Sequence, residues 1–172
     1  MVPENAIKVY WLDHENKRLW ILIPKVASTS MRMTLDSGEK VSRETALEYK
    51  DYYTIVFTRH PWDRIVSALF SKLMDGDSFE ERIYKWIHYP GRIDWMDMHV
   101  RPQSWFTEGF DIDFLGRFES IETHWKNLQK EIDVPDLQYH GKGIYRPGSW
   151  KDVDFDWSEI AHFYEQDCAA YL

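Results

Sequence analysis

Two uncharged runs of strand-forming residues constrain the fold of this chain more than any other feature. Leu19 to Ile23 and Tyr53 to Thr58 are rich in β-branched and aromatic side chains. Strands of this kind are covered on both faces, which is typical of parallel sheets flanked by helices. A weaker run spans Ile112 to Phe118. Ile7 to Leu12 precedes a polar turn and predicts a hairpin, or an edge strand, beside the first run.

Amphipathic helices are predicted between and after these runs, where apolar residues recur every three or four positions. Their predicted starts are Pro61, Ser78, Ser120 and about Ser158. Proline is favoured in a first helical turn, and the serine at 78 has a glutamate three positions later, as in a capping box. Strands alternating with helices predict an α/β fold with a mainly parallel central sheet. Because no repeat, linker or low-complexity segment interrupts the pattern, residues 1–172 are predicted to form one domain.

Composition limits the possible partners and the compartment. The net charge is −8 and no run of Lys and Arg forms a basic stretch, so nucleic-acid binding is not expected. A small anion can still be bound by a few local cations and amides. Cys168 is the only cysteine, which excludes an intrachain disulfide and fits a reducing compartment. No apolar run approaches a membrane span, and Met1–Asn5 does not resemble a signal peptide, so a cytoplasmic location is expected.

Small and polar residues follow the first apolar run, where the predicted strand ends. The loop consists of Pro24, Lys25, Val26, Ala27, Ser28, Thr29 and Ser30, and a short helix is predicted from Met31. A strand, a tight loop and a helix start bring backbone N–H groups together, which favours an anion site. The alternative is an ordinary turn capped by serine. The loop is not a Walker A motif, because Lys25 follows no glycine and precedes Val26 instead of an Mg²⁺-binding hydroxyl.

A second pair of anion-binding groups follows the second apolar run. Arg59 lies at the end of that predicted strand, and Ser67 lies two turns into the next helix. An arginine fork and a hydroxyl can converge on one phosphate. A surface arginine and an unrelated serine are the alternative. Ligands of parallel sheets sit at the carboxyl ends of the strands, so both loops point to a phosphate-bearing ligand.

These loops resemble the donor motifs of sulfotransferases that use 3′-phosphoadenosine 5′-phosphosulfate (PAPS). Pro24–Ser30 is similar to the family's 5′-phosphosulfate loop, and Arg59–Ser67 is similar to its 3′-phosphate motif. The resemblance is strongest to the carbohydrate sulfotransferases and continues in His99–Ser104, Leu115–Glu119 and Phe163–Asp167. It implies a P-loop NTPase-like, three-layer domain that transfers a sulfuryl group from PAPS to an acceptor hydroxyl and leaves PAP.

The resemblance also implies roles for individual residues. Lys25 contacts the bridging oxygen and is catalytic, and the 5′-phosphosulfate is bound by Pro24, Lys25, Ala27, Ser28, Thr29 and Ser30. Arg59 and Ser67 hold the 3′-phosphate. Composition, not the resemblance, singles out the glycine-rich, basic and aromatic segment Gly141–Trp150, which is a candidate to close over the donor with Lys142 or Arg146 near the 3′-phosphate; a plain surface loop is the alternative. A preplaced ammonium and amides can stabilise the leaving phosphate, so no metal is expected.

His99 is the leading general base, because imidazole titrates near neutral pH and the family has a histidine in this motif. It could instead orient the acceptor without taking its proton, and Asp97 and Glu119 are acidic alternatives. Gln103 is a candidate for binding the acceptor or PAPS. The aromatic run from Trp86 to Trp105 suits a sugar, but it suits a phenol equally.

Two other functions stay open at the level of sequence. A non-catalytic PAP-binding module would share both phosphate loops but would need neither Lys25 nor a base. A small nucleotide kinase is disfavoured by the loop's departure from Walker A. The expected partner is a small-molecule or glycan acceptor, and no pattern indicates an oligomeric state.

Overall fold

The computed structural model describes residues 9–71, 78–85, 98–139 and 149–171. Contacts group the chain into two compact units. Val2–Arg59 and Phe106–Lys142 form the first, which we call the sheet unit. His60–Trp105 and Gly143–Leu172 form the second, which we call the helical unit. The expectation that residues 1–172 form a single domain stays a prediction.

The sheet unit contains a five-stranded sheet of order β3-β1-β2-β4-β5. The strands are β1 (Tyr10–Asp13), β2 (Arg18–Ile21), β3 (Glu39–Val41), β4 (Tyr53–Thr58) and β5 (Phe114–Arg117). β4 pairs parallel with β2 and β5, whereas β1 pairs antiparallel with β2 and β3. The α/β class and the parallel pairing of the central strands are therefore confirmed. One side of the sheet is antiparallel, because a short hairpin joins β1 to β2.

Burial along β2 agrees with its apolar sequence. Leu19, Trp20 and Ile21 are at most 2% exposed, so this strand is covered on both faces. One cover is the helix that carries Trp125, whose ring lies 5.8 Å from the rings of both Trp20 and Phe57. Aromatic pairs at this distance add to the stabilisation from buried apolar area. The prediction of a doubly covered strand is confirmed for β2.

Seven α-helices lie in the described residues. They are α1 (Ser28–Thr34), α2 (Arg43–Glu48), α3 (Pro61–Ser71), α4 (Phe79–Ile83), α5 (Gln103–Thr107), α6 (Ile121–Glu131) and α7 (Glu165–Tyr171). The predicted helix starts at Pro61 and Ser78 are confirmed, including the capping box between Ser78 and Glu81. A 3₁₀ turn, Phe118–Ser120, precedes α6. None of the described helices has the length and apolar character needed to cross a membrane.

Two elements of the sheet unit have no counterpart among the predicted ones. β3 is a short, mostly exposed strand, and α2 begins two residues after it ends. Ser42 caps α2, because its side chain accepts a hydrogen bond from the Thr45 N–H. That capping serine is a sequence feature from which the start of α2 can be predicted. β3 has no such signal, since its pairing with β1 is decided by residues distant in sequence.

The helical unit has its own apolar core. Side chains from α3, α4 and the C-terminal segment are buried together: Trp62, Ile65, Leu69, Ile83, Ile160 and Tyr164. The C-terminal segment differs from the predicted helix. Trp157–Tyr164 is a 3₁₀ helix, and α7 begins only at Glu165. Because side chains three apart align in a 3₁₀ helix, Trp157 and Ile160 can both face the core.

Candidate functional site

The loop after β2 has an unusual backbone. Pro24 to Ala27 form a turn, and both Lys25 and Ala27 lie in the left-handed region, with φ of 68° and 55°. Each such residue other than glycine costs about 1–2 kcal/mol. Residues held in this region cluster where a site needs a particular backbone shape. The loop is therefore a strained turn that the surrounding fold holds in place.

The first turn of α1 follows this loop directly. Ala27 is the N-cap, no side chain caps the helix, and the Met31 N–H donates to the Ala27 carbonyl as the first hydrogen bond of the helical ladder. The N–H groups of Ser28, Thr29 and Ser30 come before that bond, in the turn where amides point out of a helix end. The serine cap expected in the alternative is wrong, because the cap position holds alanine, and the anion-binding role of the turn stays a prediction.

The three hydroxyl residues of the first turn differ in exposure. The Ser30 side chain is buried, Ser28 is half-buried and Thr29 is exposed. Ser30 is further tied into the helix, since its carbonyl accepts a hydrogen bond from the Thr34 hydroxyl at 2.9 Å. Of the three, Thr29 is therefore the most open to solvent.

Arg59 lies against the strained loop. It follows β4, which runs parallel to β2, so both segments emerge at the same edge of the sheet. Its Nη1 donates to the Lys25 carbonyl oxygen at 3.3 Å. Its Cζ lies 4.4 Å from the ring centroid of Phe118, which follows β5. The segments after three parallel strands thus meet around one guanidinium, which brings Lys25 and Arg59 together. Nothing in the local sequence around Phe118 predicts that its ring contacts Arg59.

Ser67 belongs to the helical unit, within α3. Its side chain is 2% exposed, and its hydroxyl has no hydrogen-bond partner among the described residues. An unsatisfied buried polar group costs about 1–3 kcal/mol. Such a group calls for an explanation, and a ligand oxygen is one.

His99 and Gln103 also belong to the helical unit. His99 is half-buried in the turn Met98–Val100, and Gln103 is the buried first residue of α5. The Gln103 backbone N–H donates to the Asp167 carboxylate at 2.7 Å. The sequence patterns do not predict that the Asp167 carboxylate accepts this hydrogen bond, although Asp167 lies in one of the segments that resemble the sulfotransferases.

Several predicted residues lie outside the described ranges. These are Arg146, Asp97 and most of the aromatic run from Trp86. Glu119 is exposed in the 3₁₀ turn before α6, in the sheet unit. Within the described ranges, no group of three or more His, Cys, Asp or Glu residues is arranged to hold a metal ion.

Comparison with known proteins identifies the family of the chain. A family model described as "Sulfotransferase family" matches residues 33–152, which is well over half of the chain. The match contains Arg59, Ser67 and His99 and begins after the loop Pro24–Ser30. No curated protein and no solved structure matches the chain significantly. The expected resemblance is confirmed at the level of the family, and the chain belongs to the sulfotransferases.

Proposed function

We propose that this protein transfers the sulfuryl group of PAPS to a carbohydrate hydroxyl and releases PAP. Family membership supports sulfuryl transfer. One observation carries the assignment of PAPS as the sulfuryl donor. The loop after β2 has two residues in the strained left-handed region, and the Arg59 guanidinium donates a hydrogen bond to the carbonyl oxygen of one of them, Lys25. The proposal includes a three-layer fold like that of the P-loop NTPases, in which phosphates lie at this edge of the sheet.

The 5′-phosphosulfate is proposed to bind at the loop and the first turn of α1. Left-handed residues curve a backbone so that its N–H groups converge, and concavities of this kind bind anions. Lys25 and Ala27 supply the curvature. The N–H groups of Ser28, Thr29 and Ser30, at the open end of the helix, supply donors. The free-energy cost of the two left-handed residues is then offset by the benefit of a preformed anion-binding loop.

Lys25 is proposed as the catalytic cation. The acceptor oxygen attacks sulfur in line, a new S–O bond forms, and the bond from sulfur to the bridging oxygen breaks. The electron pair of that bond leaves with PAP, so negative charge grows on the bridging oxygen. An ammonium placed there stabilises the transition state more than the ground state and needs no metal for this work.

The 3′-phosphate is assigned to Arg59 and Ser67 by their motif. The buried hydroxyl of Ser67 supports the assignment, because a phosphate oxygen would satisfy it. Arg59 supplies the fork geometry that suits phosphate. Arg146 is proposed as an additional residue that binds PAPS.

His99 is proposed as the general base that takes the acceptor's proton as the oxygen attacks sulfur. The carbohydrate acceptor follows from the resemblance to the carbohydrate sulfotransferases, and the same segment of the chain carries an aromatic face. The Trp105 ring is half-buried and stacks on the guanidinium of Arg101, whose Cζ lies 4.1 Å from the ring centroid. An aromatic face of this kind suits a sugar ring and a phenol equally, so both classes of acceptor are included in the test. A cytoplasmic location remains part of the proposal and rests on the single cysteine.

The proposal is tested by incubating the protein with PAPS labelled in the sulfuryl group and a panel of glycans and phenols. Label on a glycan, with turnover unchanged by a chelator, is the expected result. Tight PAP binding without transfer to any acceptor would favour the non-catalytic module. Transfer of the γ-phosphate of ATP that requires Mg²⁺ would favour the kinase. Absence of PAP binding would overturn the donor assignment.

A further inference from the structure

Buried side chains of the helical unit hold the backbone of the turn that carries His99. Arg64, on α3, is fully buried, and its Nη2 donates to the carbonyl oxygens of Arg101 at 2.6 Å and Met98 at 3.5 Å. The buried Tyr164 hydroxyl donates to the carbonyl oxygen of Val100. The carbonyls on both sides of His99 are therefore engaged.

Asp167, on α7, holds the segment immediately after this turn. It is 3% exposed, and its carboxylate accepts hydrogen bonds from the Gln103 N–H at 2.7 Å and the Ser104 N–H at 2.8 Å. Together with Arg64 and Tyr164 it forms what we call the turn clamp. The clamp binds mainly backbone groups of residues 98–104, so it specifies the path of the chain there.

Stability alone is a weak reason for such a clamp. Burying an arginine and a carboxylate removes two charges from water, a cost that their hydrogen bonds to the backbone must first offset. The better attested use of buried polar groups is to select one conformation. Burial raises the pKa of Tyr164, so its hydroxyl stays protonated and remains a donor throughout the working pH range.

We propose that Arg64, Tyr164 and Asp167 are positioning residues that hold the His99 turn in the geometry needed for proton transfer. The inference rests on the proposed function, because it takes His99 as the base. A base must lie within hydrogen-bond reach of the proton that it takes, so a turn that drifts by about 1 Å costs on the order of 100-fold in rate.

The decisive variant is Tyr164→Phe, which removes one hydroxyl and keeps the ring in the core. We expect kcat to fall by about 10- to 100-fold while the KM for PAPS and the affinity for PAP stay unchanged. Tyr84→Phe is the matched control, since the Tyr84 hydroxyl donates to the exposed Glu159 carboxylate in the same unit. The control is expected to keep wild-type kcat.

A double variant separates positioning from a general loss of structure. If Tyr164 acts through His99, Tyr164→Phe lowers kcat no further in a His99→Ala background. Additive losses would overturn the inference. A His99→Ala enzyme with full turnover would contradict the proposed base itself. An inactive His99→Ala enzyme beside a fully active Tyr164→Phe enzyme would contradict only the positioning role.

Hydrogen exchange tests the clamp without any activity. The amides of Gln103 and Ser104 are expected to exchange at least about tenfold faster in Tyr164→Phe than in Tyr84→Phe, because the turn before them is released. Asp167→Asn, which weakens the acceptor of both amides, should speed their exchange as well. Unchanged protection in Tyr164→Phe would overturn the clamp whatever the enzyme's turnover.

Discussion

At the scale of single residues, Lys25 combines a strained backbone with a charge that the proposed chemistry requires. Its φ of 68° lies in the left-handed region, and the chain provides a natural comparison in Lys17, with φ of 51° in the turn between β1 and β2. Alanine tolerates this region about as poorly as lysine does. Alanine substitutions at the two positions therefore change the side chain without changing the backbone preference.

We predict that Lys25→Ala lowers kcat by about 10²–10³-fold, equivalent to about 3–4 kcal/mol of transition-state stabilisation. PAP affinity should remain close to that of the wild type, as measured by calorimetry. Lys17→Ala should change neither quantity. An equal loss of PAP affinity and turnover in Lys25→Ala would remove its catalytic role and leave only a binding role.

Ser67 allows a prediction in which stability and binding change in opposite directions. Ser67→Ala removes a buried hydroxyl that has no partner among the described residues, so the free protein should be as stable as the wild type or more stable by about 1 kcal/mol. Affinity for PAP should nevertheless fall. Affinity for adenosine 5′-phosphosulfate, which lacks the 3′-phosphate, should stay the same; a parallel loss for both ligands would contradict the assignment.

Residue types in the sequence identify candidates for the site, but not the contacts that organise it. Lys25 and Arg59 are both readable from their motifs, and the structure joins them through a backbone carbonyl. Phe118 beneath the Arg59 guanidinium carries no local signal of this contact. The contact depends on the parallel pairing of β4 with β5, which brings together residues far apart in sequence.

At the scale of elements, the close approach of β5 to β4 depends on Gly116. A Cβ atom at this position would lie 2.3 Å from the Phe57 ring. That ring is 2% exposed and packs 5.8 Å from the rings of both Phe114 and Trp125, so it has little room to move.

We predict that Gly116→Ala lowers the free energy of unfolding by about 1–3 kcal/mol, the usual cost of overpacking a core. Urea unfolding monitored by tryptophan fluorescence would measure it. The double variant with Phe57→Leu should lose less than the sum of the two single losses, because the smaller side chain makes room for the methyl group. If the two losses of unfolding free energy add without any interaction, contact between the new methyl group and the Phe57 ring is not the cause of the destabilisation.

Local sequence patterns predict elements well where the local signal is strong. Periodicity and capping locate α3 and the Ser78 capping box, and apolar runs locate β2 and β4. The same periodicity predicts one C-terminal helix, whereas the segment divides into a 3₁₀ helix and α7. Spacings of three and four both fit an apolar stripe, so packing chooses between the two helix types.

At the scale of the whole molecule, stability at alkaline pH depends on a tyrosine at the start of β4. Burial, together with the hydrogen bond from the Tyr53 hydroxyl to the Glu131 carboxylate at 2.5 Å, raises the pKa of Tyr53 to about 12. In the unfolded chain a tyrosine has a pKa of about 10. Between these values the unfolded state releases a proton that the folded state keeps, so stability falls as pH rises.

We predict that the free energy of unfolding declines between about pH 10 and about pH 12 and that Tyr53→Phe makes this decline shallower. Glu131→Gln should act in the same direction, because it removes the negative charge that helps to raise the pKa of Tyr53. Denaturant unfolding at a series of pH values would measure the slopes. Identical slopes for wild type and Tyr53→Phe would contradict the assignment.

Local sequence alone determined the strands β2 and β4, the helix that follows β4, the two candidate anion-binding motifs and the sulfotransferase family. The strands and the helix depend on the periodicity and capping of neighbouring residues, whereas the family is recognised from the resemblance of the two motifs and from the family match. Only tertiary structure decided that β3 forms an edge of the sheet and that Ala27 occupies the N-cap of α1. It also decided that Arg59 donates a hydrogen bond to the Lys25 carbonyl and that the turn clamp holds the backbone around His99. Each of these depends on contacts between residues distant in sequence or on backbone strain that packing maintains, and no local pattern encodes them.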